Sequence, residues 1–185
     1  MGFSADEVST DGAALLTEKP EREHRMLRYF SQVIPDRRDP LRIVHPIEKL
    51  LKQRVFTMVQ GYQDANDVQY LKNDPLLKDI LEGEQASQPT MSRFENSLDK
   101  HAVFALCHAW IDRYVSTLAN RDKVVIDIDG TDDPTHGEQQ LSMFNGYYGQ
   151  FMYNELFFHD GIQGKSLSRY CARGTATQID GMLPF

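Results

Sequence analysis

The sharpest constraint on this chain is a change of texture near Asn120. Upstream, apolar residues recur at three- and four-residue intervals; from Lys123 onward short β-branched and aromatic runs take over, starting with VVIDIDGTDD. The first spacing suits amphipathic helices that bury one stripe, and the second suits strands. One chain with both, in that order, is expected to be α+β: a helical part over residues 1–120 followed by a β-bearing part over 121–185. At 185 residues it can bury one good core and a second small one.

Within the helical part, residues 12–33 read as an interrupted helix that closes at Pro35. Pro46 suits a first helical turn, and Ile47, Leu50, Leu51, Val55, Met58 and Tyr62 recur at helical spacing before Gly61 ends the run. Asp74 and Pro75 divide two short helical pieces in DANDVQYLKNDPLLKDILEG, and SQPTMSRFENSL reads as another short helix. Val103, Cys107, Trp110, Ile111, Tyr114 and Leu118 mark a longer amphipathic helix. In the β part, LFFHD and SLSRYC are strand candidates joined by GIQG as a hairpin loop.

Charge narrows the partners. The net charge of -7 argues against a general nucleic-acid binder, but the balance is uneven: from Lys19 to Arg54 ten basic residues face five acidic ones. That stretch can meet phosphate while the acidic remainder holds metal. Lys49, Lys52 and Arg54 fall largely off the apolar stripe of their helix, where they face either DNA or water. Cys107 and Cys171 lie far apart, without zinc-type spacing, so neither a disulfide framework nor a zinc site is expected. No run approaches the roughly 20 apolar residues of a membrane span, and the N-terminus lacks a basic-then-apolar leader, so the expectation is a cytoplasmic protein with no membrane partner.

The acidic run admits three chemistries. As an EF-hand-like loop it would place Asp127, Asp129, Thr131 and Glu138 at ligand positions, but Asp132 stands where that loop needs glycine, and VVIDI enters as a strand. As the nucleophile strand of a haloacid-dehalogenase-like phosphatase, DxDGT would make Asp127 the nucleophile. The residues after Asp133, however, read as loop and hairpin instead of the strand-helix-strand units that a parallel sheet requires. The third reading is the first acidic strand of an RNase H-like nuclease or transposase.

More of the sequence speaks for the third. VIDIDGTDDPTHGEQQLSMFNGYYGQFMYNELFFHDGIQGK resembles the opening of the catalytic domain of bacterial insertion-sequence transposases of the DDE type, which are RNase H-like. DRRDPLRIVH, KQRVFTMVQGYQDANDVQYLKNDP and SQPTMSRFEN extend the likeness upstream, over roughly residues 10–165. The resemblance implies DNA transposition: phosphodiester cleavage and strand transfer at insertion-sequence ends, with divalent ions, Mg²⁺ or Mn²⁺, held by three carboxylates. It implies that the aspartate of the strand-end D-G-T, Asp129, is the first catalytic and metal-binding acid; Asp127, two residues away and so on the same strand face, is a helper. Asp132, Asp133 and His136 are assigned to the following loop, and His159 to a hairpin.

For partners, the resemblance implies that the helical part contacts double-stranded DNA, the element's terminal inverted repeats, and allows the homodimer of an intact family member. SQPTMSRFEN offers Gln88, Thr90, Ser92, Arg93 and Asn96 as side chains able to reach base edges or phosphates, alongside Lys49, Lys52 and Arg54. The second and third acids of the family have no counterpart here, and the likeness stops near Ser166. The expectation is therefore a truncated, catalytically incomplete copy, an incomplete RNase H-like core with a frameshift near Ser166. A phosphatase and a non-catalytic DNA-binding protein remain as alternatives.

Overall fold

The computed structural model describes residues 9, 12–118, 121–137, 139–140 and 142–173, with the backbone alone for 168–173. It is α+β, helices first and strands last, in two compact units, Met1–Ala102 and Val103–Phe185. The division falls inside a helix, whereas the sequence changes texture near Asn120.

The first unit is built from α1 (Ala14–His24), α2 (Met26–Ser31), α3 (Ile47–Val59), α4 (Val68–Leu71), α5 (Pro75–Ile80) and α6 (Gln88–Ser97). Local chemistry sets their ends. Arg25 takes a left-handed conformation (φ 48°) between α1 and α2, and the Glu21 carboxylate accepts the Leu27 N–H with both oxygens (3.0 and 3.1 Å), capping α2 in place of a conventional N-cap. Asp74 caps α5 through the Leu77 N–H at 2.9 Å, with Pro75 as the first helical residue. Ala14, Phe56, Leu71, Leu77 and Ile80 form the core, with Leu27, Tyr62 and Leu76 packed around it.

The buried face of α3 is not the stripe expected from the sequence. It consists of Leu50, Gln53, Phe56 and Thr57, while Met58 and Val59 are more than half exposed. Two polar residues can occupy inner positions because each finds a partner. The Gln53 amide donates to the Ala86 carbonyl (3.0 Å) and accepts the Ala86 N–H (2.8 Å), and the Thr57 hydroxyl donates to the Arg54 carbonyl. The Gln53 clamp fixes the loop that launches α6, and Met91 and Phe94 anchor that helix from within.

The second unit contains most of α7 (Lys100–Ser116) and a sheet of β1 (Ile126–Pro134), β2 (Met143–Asn145), β3 (Gln150–Asp160) and β4 (Ser166–Arg173). Every pairing is antiparallel to β3. β1 runs along one edge of β3. Met152 pairs with both Pro134 of β1 and Met143 of β2, so β2 and β4 occupy successive stretches of the opposite edge. The hairpin expected at GIQG is present, closed by Asp160 N–H to Lys165 O at 2.8 Å. Cys107 of α7 is a half-buried free thiol. Among the described residues no helix is long and apolar enough to cross a membrane.

Candidate metal-binding strand and nucleic-acid face

β1 is longer and more open than its sequence suggested: all nine residues from Ile126 to Pro134 are exposed. Alternation puts Asp127, Asp129, Thr131 and Asp133 on one face of the sheet. Across the ladder, on that same face, stand His159, Phe157, Glu155 and Tyr153 of β3. Asp132 and Asp133 are therefore strand residues, a correction to their loop assignment; the ladder continues to Pro134, and Asp132 accepts a hydrogen bond from Gln150 at 3.1 Å. His159 is also a strand residue, opposite Asp127 at a register shift in β3, with its ring stacked on Phe157.

Asp127 sits tightly against the start of the β3–β4 turn. A Cβ on Gly161 would lie 2.5 Å from its carboxylate, and the Gly161 N–H donates to Val125 O at 2.9 Å. Any larger residue there would oblige the Asp127 carboxylate to move aside. Asp129 is free of such packing and stands in the open, one pleat repeat along. The two carboxylates are hard oxygen donors of the kind a divalent ion prefers. Among the described residues, however, no three Asp, Glu, His or Cys side chains are grouped to hold a metal. The donor chemistry fits a metal site while the number of ligands does not.

The most heavily bonded acid in the unit is not among the site residues expected from the sequence. Asp160, at the end of β3, is fully buried and accepts from Tyr114 Oη (3.0 Å), Arg121 Nη1 (2.8 Å) and the backbone N–H groups of Ile162 (2.8 Å) and Gln163 (3.2 Å). Burial pushes its pKa up, but the two amides, then Arg121 and Tyr114, outweigh this and hold it down at about 2. Asp160 pairs with Ile126 and so faces away from Asp127 and Asp129. It ties α7 and Arg121 to the turn. The sequence signal was available: an Asp directly before a Gly-containing turn is a common acceptor for turn amides.

In the first unit the side chains assigned to DNA divide. Arg93 and Asn96 of α6 are exposed and Gln88, Thr90 and Ser92 half-buried; Thr90 shares a hydrogen bond with Ser87, and Asn96 donates to Ser92. Lys49 is half-buried near Gly83. Lys52 and Arg54 have inward-facing roles, because each is only 19% and 16% exposed and already paired. Lys52 bridges Glu18 at 3.0 Å and donates to Ile80 O; Arg54 bridges Glu95 of α6 and donates to Tyr62 O and Gln63 O. The acids that claim them lie 34 and 41 residues away in the chain, which local spacing cannot reveal.

Residues 1–182 match the family model described as transposase DDE domain group 1. The chain belongs to that family. Its members carry out DNA transposition, contact DNA and in general use divalent metal ions. The match continues to residue 182, past Ser166, where the residue-by-residue likeness was expected to stop. Comparison with curated proteins and with solved structures finds no match.

Proposed function

We propose that this transposase-family chain recognises the terminal inverted repeats of an insertion sequence through its helical unit, and contributes Asp129 as the first metal-binding carboxylate of phosphodiester cleavage and strand transfer. The observation that carries the reading is the position of Asp129: on an open strand of an antiparallel sheet, in the D-G-T of a sequence that fits the family along nearly its whole length. Asp127 shares its face and assists, with part of its carboxylate surface taken up by the turn at Gly161. Mg²⁺ or Mn²⁺ is the expected ion, since both accept oxygen donors. Arg93 and Asn96 are the α6 side chains best placed to meet DNA.

With one assigned carboxylate instead of three, the 185 residues alone are expected to bind ends without cutting them. The purified chain is incubated with labelled duplexes carrying element ends, in Mg²⁺ and in Mn²⁺, and binding and nicking are scored separately. Salt-sensitive binding without nicking supports the reading. End-specific nicking that disappears in Asp129→Ala would show that the chain is catalytically complete, and absence of any duplex binding would remove the DNA role.

A further inference from the structure

Six of the ten basic side chains between Lys19 and Arg54 have carboxylate partners: Arg22, Arg37, Arg38, Arg42, Lys52 and Arg54. Among the described residues this leaves Lys19, Arg25, Arg28 and Lys49 without an ion pair. Arg25 and Arg28 are exposed and, with Arg22 beside them, follow one another at three-residue steps along the α1–α2 junction. All three line an open cleft of about 390 Å³, with Lys52 also on its wall.

We propose that Arg25 and Arg28, flanked by Arg22, form a row that holds the phosphate backbone of duplex DNA. This rests on the reading of the helical unit as the DNA-binding part and names the cations that do it. Lys49, Arg54 and the side chains of α6 are not among the residues lining this cleft, and Lys52 on its wall is already paired with Glu18. Four carboxylates share the cleft, and their partners decide its character. Glu18 is ion-paired with Arg22 and Lys52, whereas Glu21 accepts the neutral Leu27 amide and keeps its negative charge. Glu48 and Glu82 are exposed and without an ion-pair partner among the described residues. With Glu21 they oppose an incoming phosphate and tune the affinity downward.

Arg25 adds a second line of argument. A side-chain-bearing residue in the left-handed region is strained, and a helix C-terminus of this type ordinarily carries glycine or asparagine. An arginine there gives up backbone ease while placing a guanidinium, the group best suited to phosphate, in the lining of the cleft. Arg25→Gly removes the strain and the cation together, so stability and DNA affinity should move in opposite directions, and each is read by its own measurement.

The full chain is titrated onto a labelled 30-base-pair duplex of arbitrary sequence across about 50 to 200 mM salt, and the slope of log K against log salt is read; each phosphate contact contributes about 0.9 to it. Arg25→Gly and Arg28→Gln should each lower the slope by about one contact, and the double variant by about two, while Lys72→Gln leaves it unchanged. Arg25→Gly should at the same time keep or raise the melting temperature, and Glu48→Gln with Glu82→Gln should strengthen binding. If the native chain binds with a slope that the double variant does not change, the arginine row is wrong while the DNA reading stands. If the native chain does not bind duplex at all, both fall. Arg25→Gly that loses melting temperature together with affinity would show a structural role for the side chain and overturn its assignment to phosphate.

Discussion

The two units of this chain are held together by different means. The buried apolar side chains among the described residues fall almost entirely in the helical unit; the second unit contributes Ala109, Met152 and Leu167. Where the helical unit has Phe56 and Leu50 at the centre of α3, the sheet has β1 with Ile126 and Ile128 about half exposed, and the β2–β3 hairpin with Phe144, Tyr147 and Phe151 open to solvent. Beyond the strand ladders, its most heavily bonded side chain is the buried carboxylate of Asp160. A unit stabilised by burial and one stabilised by a bonded carboxylate should respond differently to denaturant, to acid and to substitution.

Trp110 makes the comparison measurable. It is the single tryptophan, it lies in the second unit, and its indole N–H donates to Ser166 O at 2.9 Å. Its fluorescence therefore follows the sheet unit, while far-ultraviolet circular dichroism is dominated by the helices, all of which except most of α7 lie in the helical unit. The largest effect is expected from Phe56→Ala. Truncating a fully buried phenylalanine costs about 3–5 kcal/mol, which should shift the dichroism transition in urea strongly and the Trp110 transition much less. Equal shifts in both signals would mean that the two units unfold as one, and the contrast drawn above would fail.

Acid offers the reverse test. Since the Asp160 pKa lies below its ordinary value, at about 2, its ionised form stabilises the folded sheet unit fully above the usual carboxylate range. That contribution is lost as pH falls from about 4 through about 2. The Trp110 signal should report this loss in the native chain. Asp160→Asn should weaken the sheet unit at neutral pH, because Arg121 loses its charged partner, and should flatten this part of the acid dependence. An unchanged acid profile in Asp160→Asn would assign the acid sensitivity to other groups.

How much of this was legible in the sequence depended on whether the deciding partner was near in the chain. Helix starts at Pro46 and at Asp74–Pro75, and the GIQG hairpin, were readable because caps and turns are local. The inner face of α3 was not, since Gln53 is satisfied by Ala86 and nothing near Gln53 announces it. Lys52 and Arg54 looked like free cations for the same reason. For the candidate site, the D-G-T motif and its likeness pointed to Asp129, and alternation put Asp127 on the same face. The placement of His159 opposite Asp127 followed from a register that only pairing with β3 defines, and the reach of Asp160 to Tyr114 and Arg121, 46 and 39 residues away, had no local signal, although its hold on the turn amides did.

Gly161→Ala probes that register at intermediate strength. The added methyl would fall 2.5 Å from the Asp127 carboxylate; because that side chain is exposed and can turn aside, the cost should not exceed about 1 kcal/mol, the low end of overpacking a core. The Trp110 transition should move to lower urea, and Asp127→Ala in the same chain should restore part of the loss. Without any rescue, the glycine would be required for the turn itself and not for the approach of β1.

The smallest expected effect is at Ile128, and it tests whether the open face of β1 is open in solution. Ile128 is about half exposed and pairs with Phe158 on the face opposite Asp129. Threonine keeps the branched β-carbon that strands favour while exchanging a methylene and methyl for a hydroxyl. On a face with nothing packed over it, such a change should stay within about 0.5 kcal/mol, with the Trp110 midpoint in urea nearly unmoved. Against a covering surface the same hydroxyl would be buried without a partner, at a cost of about 1–3 kcal/mol. A shift of that size would mean that β1 is packed against something in solution. The sheet unit would then resemble the helical unit in relying on burial, and the distinction between the two would rest on the Asp160 cluster alone.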